Sequence, residues 1–289
     1  MKKLLLLMLC FCTPALASIS VEDFAGRTVQ LEKPARRIIA LAPHITENIF
    51  SAGAGGYLVG AVTYSNYPEA AKAIQRIGSH LSWSLESIVA LQPDLIVMWG
   101  SGNGMQHLPA LERMGVPVFV SEPRLPTDIA RAIRSIGVLA ATEETAEIEA
   151  EKIERGLTAL EAKYHDTKQL KVFYQVWNEP LQTLNGDHLI SHVIKLCGGK
   201  NIFWDAPYIA PKINIESILM LNPDVIVASG MATQRPEWLD DWLAYPSISA
   251  VANNALYSVN PDHIQRPTTR LLLGAEKMCR LLADARAKL

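Results

Sequence analysis

No run of lysines and arginines occurs in this 289-residue sequence, where 27 basic side chains face 29 acidic ones for a formal charge of −2. That balance leaves no electrostatic footprint for nucleic acid. Past the first dozen residues no apolar stretch is long enough to cross a bilayer as a helix. Common catalytic signatures are also missing: there is no G-x-S-x-G elbow, no Walker loop and no H-E-x-x-H. The "GAGG" at Gly53 has the look of a dinucleotide loop, yet it follows the helical "TENIFSA" rather than opening a helix. It reads as a helix C-cap and turn.

Cysteine is scarce, with four in the chain, and two of them lie in the opening "MKKLLLLMLCFCTPALAS". Two lysines, an apolar run and Ala-Leu-Ala before Ser18 have the layout of a secretory leader cleaved after Ala17. Leu4 to Cys12 is too short to span a membrane, and Leu9 before Cys10 argues against a lipoprotein. Cleavage leaves Cys197 and Cys279. In an oxidising compartment these read as a disulfide tying "VIKLCGG" to the final helix "GAEKMCRLL", two buried free thiols being the alternative.

What the chain does have is short apolar runs alternating with helical patterns. "RIIALAP", "LVGAVTY", "DLIVMWG" and "VPVFVSE" come first, then "LKVFYQVW", "DVIVASG" and "ALYSVNP". Such Val- and Ile-rich runs suit strands buried on both faces of parallel α/β sheets. The leading "RTVQLEKPARR" reads as an extra edge hairpin blunted by its Pro and charges. Between the halves, Glu143 to Tyr164 is rich in Ala, Glu and Lys, with Ile148, Ile153, Leu157 and Leu160 near helical spacing. It predicts one amphipathic helix on the order of 30 Å long, interrupted only by Gly156 and joining two lobes as a spine. The expected division is leader 1–17, first lobe 18–125, helical connection 126–166 and second lobe 167–289.

One sentence is written twice. "ESIVALQPDLIV" starts at Glu86 and "ESILMLNPDVIV" at Glu216, with eight of twelve positions identical. Each copy has an N-cap residue (Ser84, Asn214), a first-turn glutamate, a stop at Pro93 or Pro223, and an apolar strand carrying Val97 or Val227. It therefore reads as a helix–turn–strand unit used once per lobe. A first-turn glutamate favours the helix dipole by itself. Two of them, one per lobe, could also engage a symmetric basic partner.

Ligands of open parallel sheets bind beyond the carboxyl ends of the strands. Tyr64 and Tyr67, Trp99, Trp177, and the group Asp262, His263 and Arg266 follow strand ends here, which points to a shared cleft. Asp262 and His263 are adjacent, so their side chains diverge and make a poor catalytic dyad. His188 and His192 stand at i, i+4 but lack a third ligand nearby and read as solvated helix residues. His80, His107 and His263 are single loop histidines, any of which could ligate a metal carried by the ligand.

"LVGAVTYSNYPEAAKAIQRIG", "LESIVALQPDLIVMW", "LCGGKNIF" and "SVNPDHIQRPTTR" resemble the periplasmic substrate-binding proteins that feed ABC importers of cobalamin, haem and ferric siderophores. The likeness covers almost all of the chain after the leader and is greatest to cobalamin-binding members. It implies an α/β protein of two Rossmann-like lobes with mainly parallel central sheets, joined by a single long helix, with the ligand between them and little closing motion. It implies a monomeric, non-enzymatic carrier that delivers cobalamin to an inner-membrane importer, the corrinoid being cargo rather than cofactor. Haem, another corrinoid or a ferric siderophore is the alternative cargo. Glu86 and Glu216 would pair with arginines on the two copies of the permease subunit, and Cys197 with Cys279 in a disulfide. Tyr64, Trp99, Asp262 and Arg266 fall on ligand-contact positions. His80, Gln182 and Ala210 depart from aromatics of that pattern, with Trp83, Trp177 and Tyr208 close enough in sequence to compensate.

Overall fold

A computed structural model of the chain describes residues 18–230 and 234–289. The expected leader over 1–17 lies outside the described residues. The first half contains strands β1 (Ile19–Glu22), β2 (Thr28–Leu31), β3 (Ile38–Ala40), β4 (Leu58–Ala61), β5 (Leu95–Trp99) and β6 (Val118–Ser121). Its helices are α1 (Pro43–Ser51), α2 (Leu85–Ala90), α3 (Gly100–Asn103), α4 (Leu108–Glu112) and α5 (Asp128–Ala140), followed by the spine α6 (Glu143–Tyr164). In the second half, β7 (Leu170–Gln175), β8 (Gly199–Asn201), β9 (Val225–Ala228) and β10 (Leu256–Ser258) alternate with α7 (Leu189–Leu196), α8 (Ile215–Leu221), α9 (Ser249–Ala252), α10 (Pro261–Ile264) and α11 (Leu271–Arg286).

Each apolar run becomes a parallel strand, and the two sheets have the same order. The first is β4-β3-β5-β6 and the second, read in the same sense, β8-β7-β9-β10. Strand β8 gave no apolar signal, because its three residues are Gly, Lys and Asn. The N-terminal hairpin forms one turn earlier than expected. Thr28–Leu31 pairs backwards with Ile19–Glu22 as a separate antiparallel ribbon. The buried Asp23 carboxylate pins its turn, accepting from the amides of Ala25 and Arg27 at 2.9 and 3.0 Å.

The duplicated segment does what its residues demand. Ser84 Oγ accepts from the Ser87 amide at 3.1 Å and Asn214 Oδ1 from the Ser217 amide at 2.9 Å, capping α2 and α8. The one polar difference, Gln92 against Asn222, falls where both chains turn left-handed at φ 45° and 44°. The shared aspartate then grips the neighbouring strand: Asp94 accepts from the Arg37 amide and Asp224 from the Lys171 amide, both at 2.8 Å. In return the Arg37 side chain donates to the Leu91 carbonyl and the Lys171 side chain to the Leu221 carbonyl, at 2.7 and 2.9 Å. Both close the unsatisfied carbonyl end of a helix.

Helix α6 spans the predicted residues, with one correction to its face. Ala146, Ala150, Ile153 and Leu157 form the buried stripe, whereas Ile148 is 59% exposed. Alanines at this spacing let α5 pack closely on α6, so a larger residue was not needed there. Gly156, the apparent interruption, is a contact point. A Cβ there would come within 2.5 Å of Leu272 in α11. One continuous core runs from β3 and α1 through α5 and α6 to β7, α7 and α11. A smaller apolar cluster lies within each lobe.

The lobes also touch directly. Glu47 on α1 receives Arg266 at 2.6 Å and Arg270 at 2.6 and 2.9 Å. Asn48 donates to the Pro267 carbonyl at 2.9 Å, and Ser51 and Thr269 share a hydrogen bond at 3.4 Å. The Glu47 side chain is 2% exposed and its arginines 15% and 12%, so this ion cluster is largely shut off from solvent. Cys197 and Cys279 form the disulfide, both fully buried, linking the end of α7 to α11 across 82 residues.

Two stability predictions follow from these ties. Glu47→Ala strands two guanidiniums in a closed interface and should cost roughly 3–5 kcal/mol in urea unfolding. A loss under about 1 kcal/mol, as for an exposed pair, would mean that the cluster does not hold the lobes. Cys279→Ala removes a cross-link over a long loop and should cost about 2–4 kcal/mol. Identical unfolding midpoints for the two proteins would remove the disulfide from the account of stability.

Candidate functional site

The carboxyl ends of β5 and β6, at Trp99 and Glu122, meet second-lobe residues around His188, Ala210 and Gln265 at the space between the lobes. Trp99 closes β5 and turns straight into α3, and its ring lies directly on Gly102, where any Cβ would collide with it. Asn103 fixes this turn by accepting from the Trp99 amide at 2.6 Å and donating to the Leu41 and His80 carbonyls. Trp99 is thus held in the wall of the recess between the lobes. His80 tilts over it at 6.3 Å between ring centroids.

Beside this platform, Arg266 joins the expected residues into one cluster. It pairs with Asp262 at 3.0 Å, donates to Asn66 Oδ1 at 3.0 Å and reaches the Tyr64 carbonyl at 3.4 Å. The Tyr64 ring is left 75% exposed on a left-handed residue, φ 64°. Asp262 therefore faces Arg266 rather than His263. Because Glu47 also holds Arg266, the arginine keeps little charge to spare for a ligand.

On the opposite lobe, Trp177 and Gln182 bridge a short loop. The Trp177 indole donates to the Glu179 carbonyl at 2.8 Å, and Gln182 bridges on to Lys212. Tyr208 is 74% exposed. Between the lobes lies a recess of about 200 Å³. Its walls include Trp99, Glu122, His188, Ala210 and Gln265. Small-molecule sites usually occupy about 300–1,000 Å³, so a large ligand must lie across the mouth and send only part of itself inside. Trp83 stands apart from this group. It meets His107 edge-on at 5.3 Å and lines a separate groove beside α2 with Leu81 and Leu85.

Three histidines differ from the sequence reading. His188 and His192 are not a solvated pair on one helix face. His188 is the N-cap of α7, its Nδ1 accepting from the Ile190 amide at 3.2 Å, and His192 packs edge-on to Trp204 at 5.4 Å. Burial, then His192 and Arg124, lower the His188 pKa to about 4. The third, His44, escaped notice because β3 was left out of the strand ends considered. It lies 4% exposed under Trp99, edge-on at 5.1 Å, and its Nε2 has no hydrogen-bond partner among the described residues. Burial, then Arg266 and His80, lower its pKa to about 3, so the ring is neutral. The segment "PHITEN" after "RIIALA" carried that signal, with His44, Glu47 and Asn48 on one face of a helix starting at the ligand edge. Among the described residues no group of three or more His, Cys, Asp or Glu side chains is arranged to hold a metal ion.

Comparison with known proteins agrees with this geometry. The chain is 35% identical over 286 residues to a vitamin B12-binding protein of Vibrio campbellii, covering 97% of this chain and 98% of the relative. It is 34% identical to one of Yersinia pestis over 250 residues, covering 86% and 87%. Among solved structures, the periplasmic vitamin B12 binding protein BtuF of Vibrio cholerae superposes with a TM-score of 0.81 at 34% identity, covering 88% of this chain and 98% of that one. The haem-binding RhuT of Roseiflexus shares the fold at 21% identity and a TM-score of 0.74, covering 87% and 99%. The profile of the periplasmic binding protein family matches residues 38–263. The chain belongs to the periplasmic binding protein family.

Proposed function

We propose that this protein is the periplasmic cobalamin-binding component of an ABC importer, a carrier rather than an enzyme. The observation that carries the reading is the inter-lobe recess with Trp99 in its wall, while Tyr64, Trp177 and Tyr208, which also follow strands or lie near the recess residues in sequence, are exposed. Aromatic faces suit a broad ring ligand, and the polar cluster at Asp262 suits its hydrogen-bonding rim. In this reading residues 18–125 and 167–289 are two jaws, with 126–166 linking them, and the leader over 1–17 directs export. A haem or ferric siderophore would want cations facing its anionic groups. Arg266 and Arg270 are both turned to Glu47, which favours an uncharged corrinoid. His80 beside Trp99 is the feature that keeps haem as the second cargo.

Delivery would use the duplicated unit. Glu86 and Glu216 are exposed on the first turns of α2 and α8, each held by the same cap and the same aspartate clasp. Two such charges on equivalent scaffolds fit a permease built from two copies of one subunit, each offering arginines, with the carrier docking as a monomer. Rim charges of this kind act mainly on encounter and register.

Two substitutions separate cargo from docking. Trp99→Ala should weaken cyanocobalamin binding about tenfold or more, read by tryptophan fluorescence titration. Unchanged affinity would take Trp99 out of the site and the aromatic platform out of the proposal. Glu86→Ala combined with Glu216→Ala should leave that affinity intact and depress uptake into proteoliposomes carrying the importer. Normal uptake at limiting substrate would reject the docking role.

A further inference from the structure

The recess between the lobes contains polar groups that the aromatic platform does not use. Glu122 and Arg124 enter it from the first lobe, and Asp187, His188 and Gln265 from the second. Their hydrogen bonds to the rest of the protein decide what each has left to offer.

His188 offers one donor. Its Nδ1 accepts the Ile190 amide at 3.2 Å, so the proton of the neutral ring sits on Nε2. With its pKa lowered to about 4, chiefly by burial, the ring is uncharged at neutral pH. Gln265 offers one acceptor. Its Nε2 donates to Ser229 Oγ at 2.6 Å and to the Ser229 carbonyl at 3.4 Å, which fixes the amide's orientation. Tyr174 shares the same Ser229 hydroxyl, so the support is buried and rigid. The Gln265 Oε1 accepts no hydrogen bond among the described residues.

The charges in the recess oppose an anion. Glu122 and Asp187 are acidic. Arg124 is the one cation among the lining residues, and its Nε pairs with Glu122 at 3.7 Å. The Glu122 carboxylate is occupied in turn by the Ser101 amide and hydroxyl at 2.7 and 2.9 Å. An incoming carboxylate would therefore meet two acidic groups against one half-exposed arginine already paired to Glu122, and a single neutral donor, whereas a primary amide brings both an acceptor and a donor.

We propose that this recess is an amide-reading subsite, in which His188 Nε2–H donates to the carbonyl of a primary amide on the cargo and Gln265 Oε1 accepts from its nitrogen. This rests on the cobalamin reading above and adds a basis for discrimination to it. A ring rimmed with amides is accepted and one bearing a carboxylate at the same place is refused. Leaving a buried donor and acceptor without partners is what makes such a site selective.

The test is calorimetric titration of the full protein with cyanocobalamin and with its isomeric mono-acids, each having one propionamide hydrolysed to a carboxylate. One isomer should bind at least about tenfold more weakly than cyanocobalamin, and the others nearly as well as it does. His188→Asn keeps a side chain able to cap α7 but lacks the Nε2–H, and it should bind cyanocobalamin about tenfold more weakly at an unchanged melting temperature. In the same variant the penalty for the disfavoured isomer should shrink. Gln265→Leu removes the acceptor and should lose affinity to a similar extent. Equal binding of all isomers, with His188→Asn and Gln265→Leu unaffected, overturns this inference and leaves the cobalamin reading standing. Failure of the unsubstituted protein to bind cyanocobalamin overturns both.

Discussion

The carboxylate of Glu47 is the constraint on which the cleft depends. It sits midway along the first lobe's leading helix, α1, and receives three hydrogen bonds from two arginines of the second lobe. A buried carboxylate is tolerable only when paired and fully hydrogen-bonded. Two guanidiniums around one carboxylate would repel each other, but Arg266 also spreads its donors to Asp262, Asn66 and the Tyr64 carbonyl, and Arg270 lies 4.1 Å over the Tyr67 ring. The cluster thus fixes the segment carrying Asp262 and Gln265 against the helix carrying His44 and Asn48. It sets the distance between the two walls, and it withdraws cationic charge from the ligand's side of them.

Around that fixed point the molecule is built twice. Equivalent strand orders, equivalent caps, paired left-handed residues and paired cation-to-carbonyl clasps give α2 and α8 the same footing on their sheets. The shared core through α5, α6 and α11 then limits how far the lobes can swing, because separating them would expose apolar surface as well as the Glu47 cluster. If α2 and α8 are docking faces, as proposed, a carrier whose lobes share one core needs its selectivity prepared in advance. The polar recess beside Trp99 is where we propose that such selectivity lies.

Much of this was legible in the chain. Val- and Ile-rich runs marked the parallel strands, and Pro93 and Pro223 with Ser84 and Asn214 marked both ends of the repeated helix, because those signals are local. Strand β8 was not, since Gly199 to Asn201 owe their strand geometry to pairing with β7. The spine's exact span was readable, whereas its buried face was not. Small Ala146 and Ala150 carry the contact, and hydrophobicity alone favoured Ile148. The site was half visible. Aromatic and polar residues after strands drew attention to Trp99, Tyr64 and Arg266. Their partners Glu47 and His44 lie about two hundred residues from Arg266 in sequence, and nothing local announces that an arginine is already taken. His188 misled for a related reason. Its spacing to His192 suggested one helical face, while its ring serves as the cap that precedes the helix.

The central claim is that the cleft between these lobes receives an uncharged, amide-rimmed corrinoid. Calorimetry of the purified protein against cyanocobalamin, hemin and a ferric hydroxamate in parallel tests it most directly. The account predicts saturable one-to-one binding of cyanocobalamin and no heat of binding from the other two. Silence with cyanocobalamin and a saturable signal from hemin or the hydroxamate would contradict it.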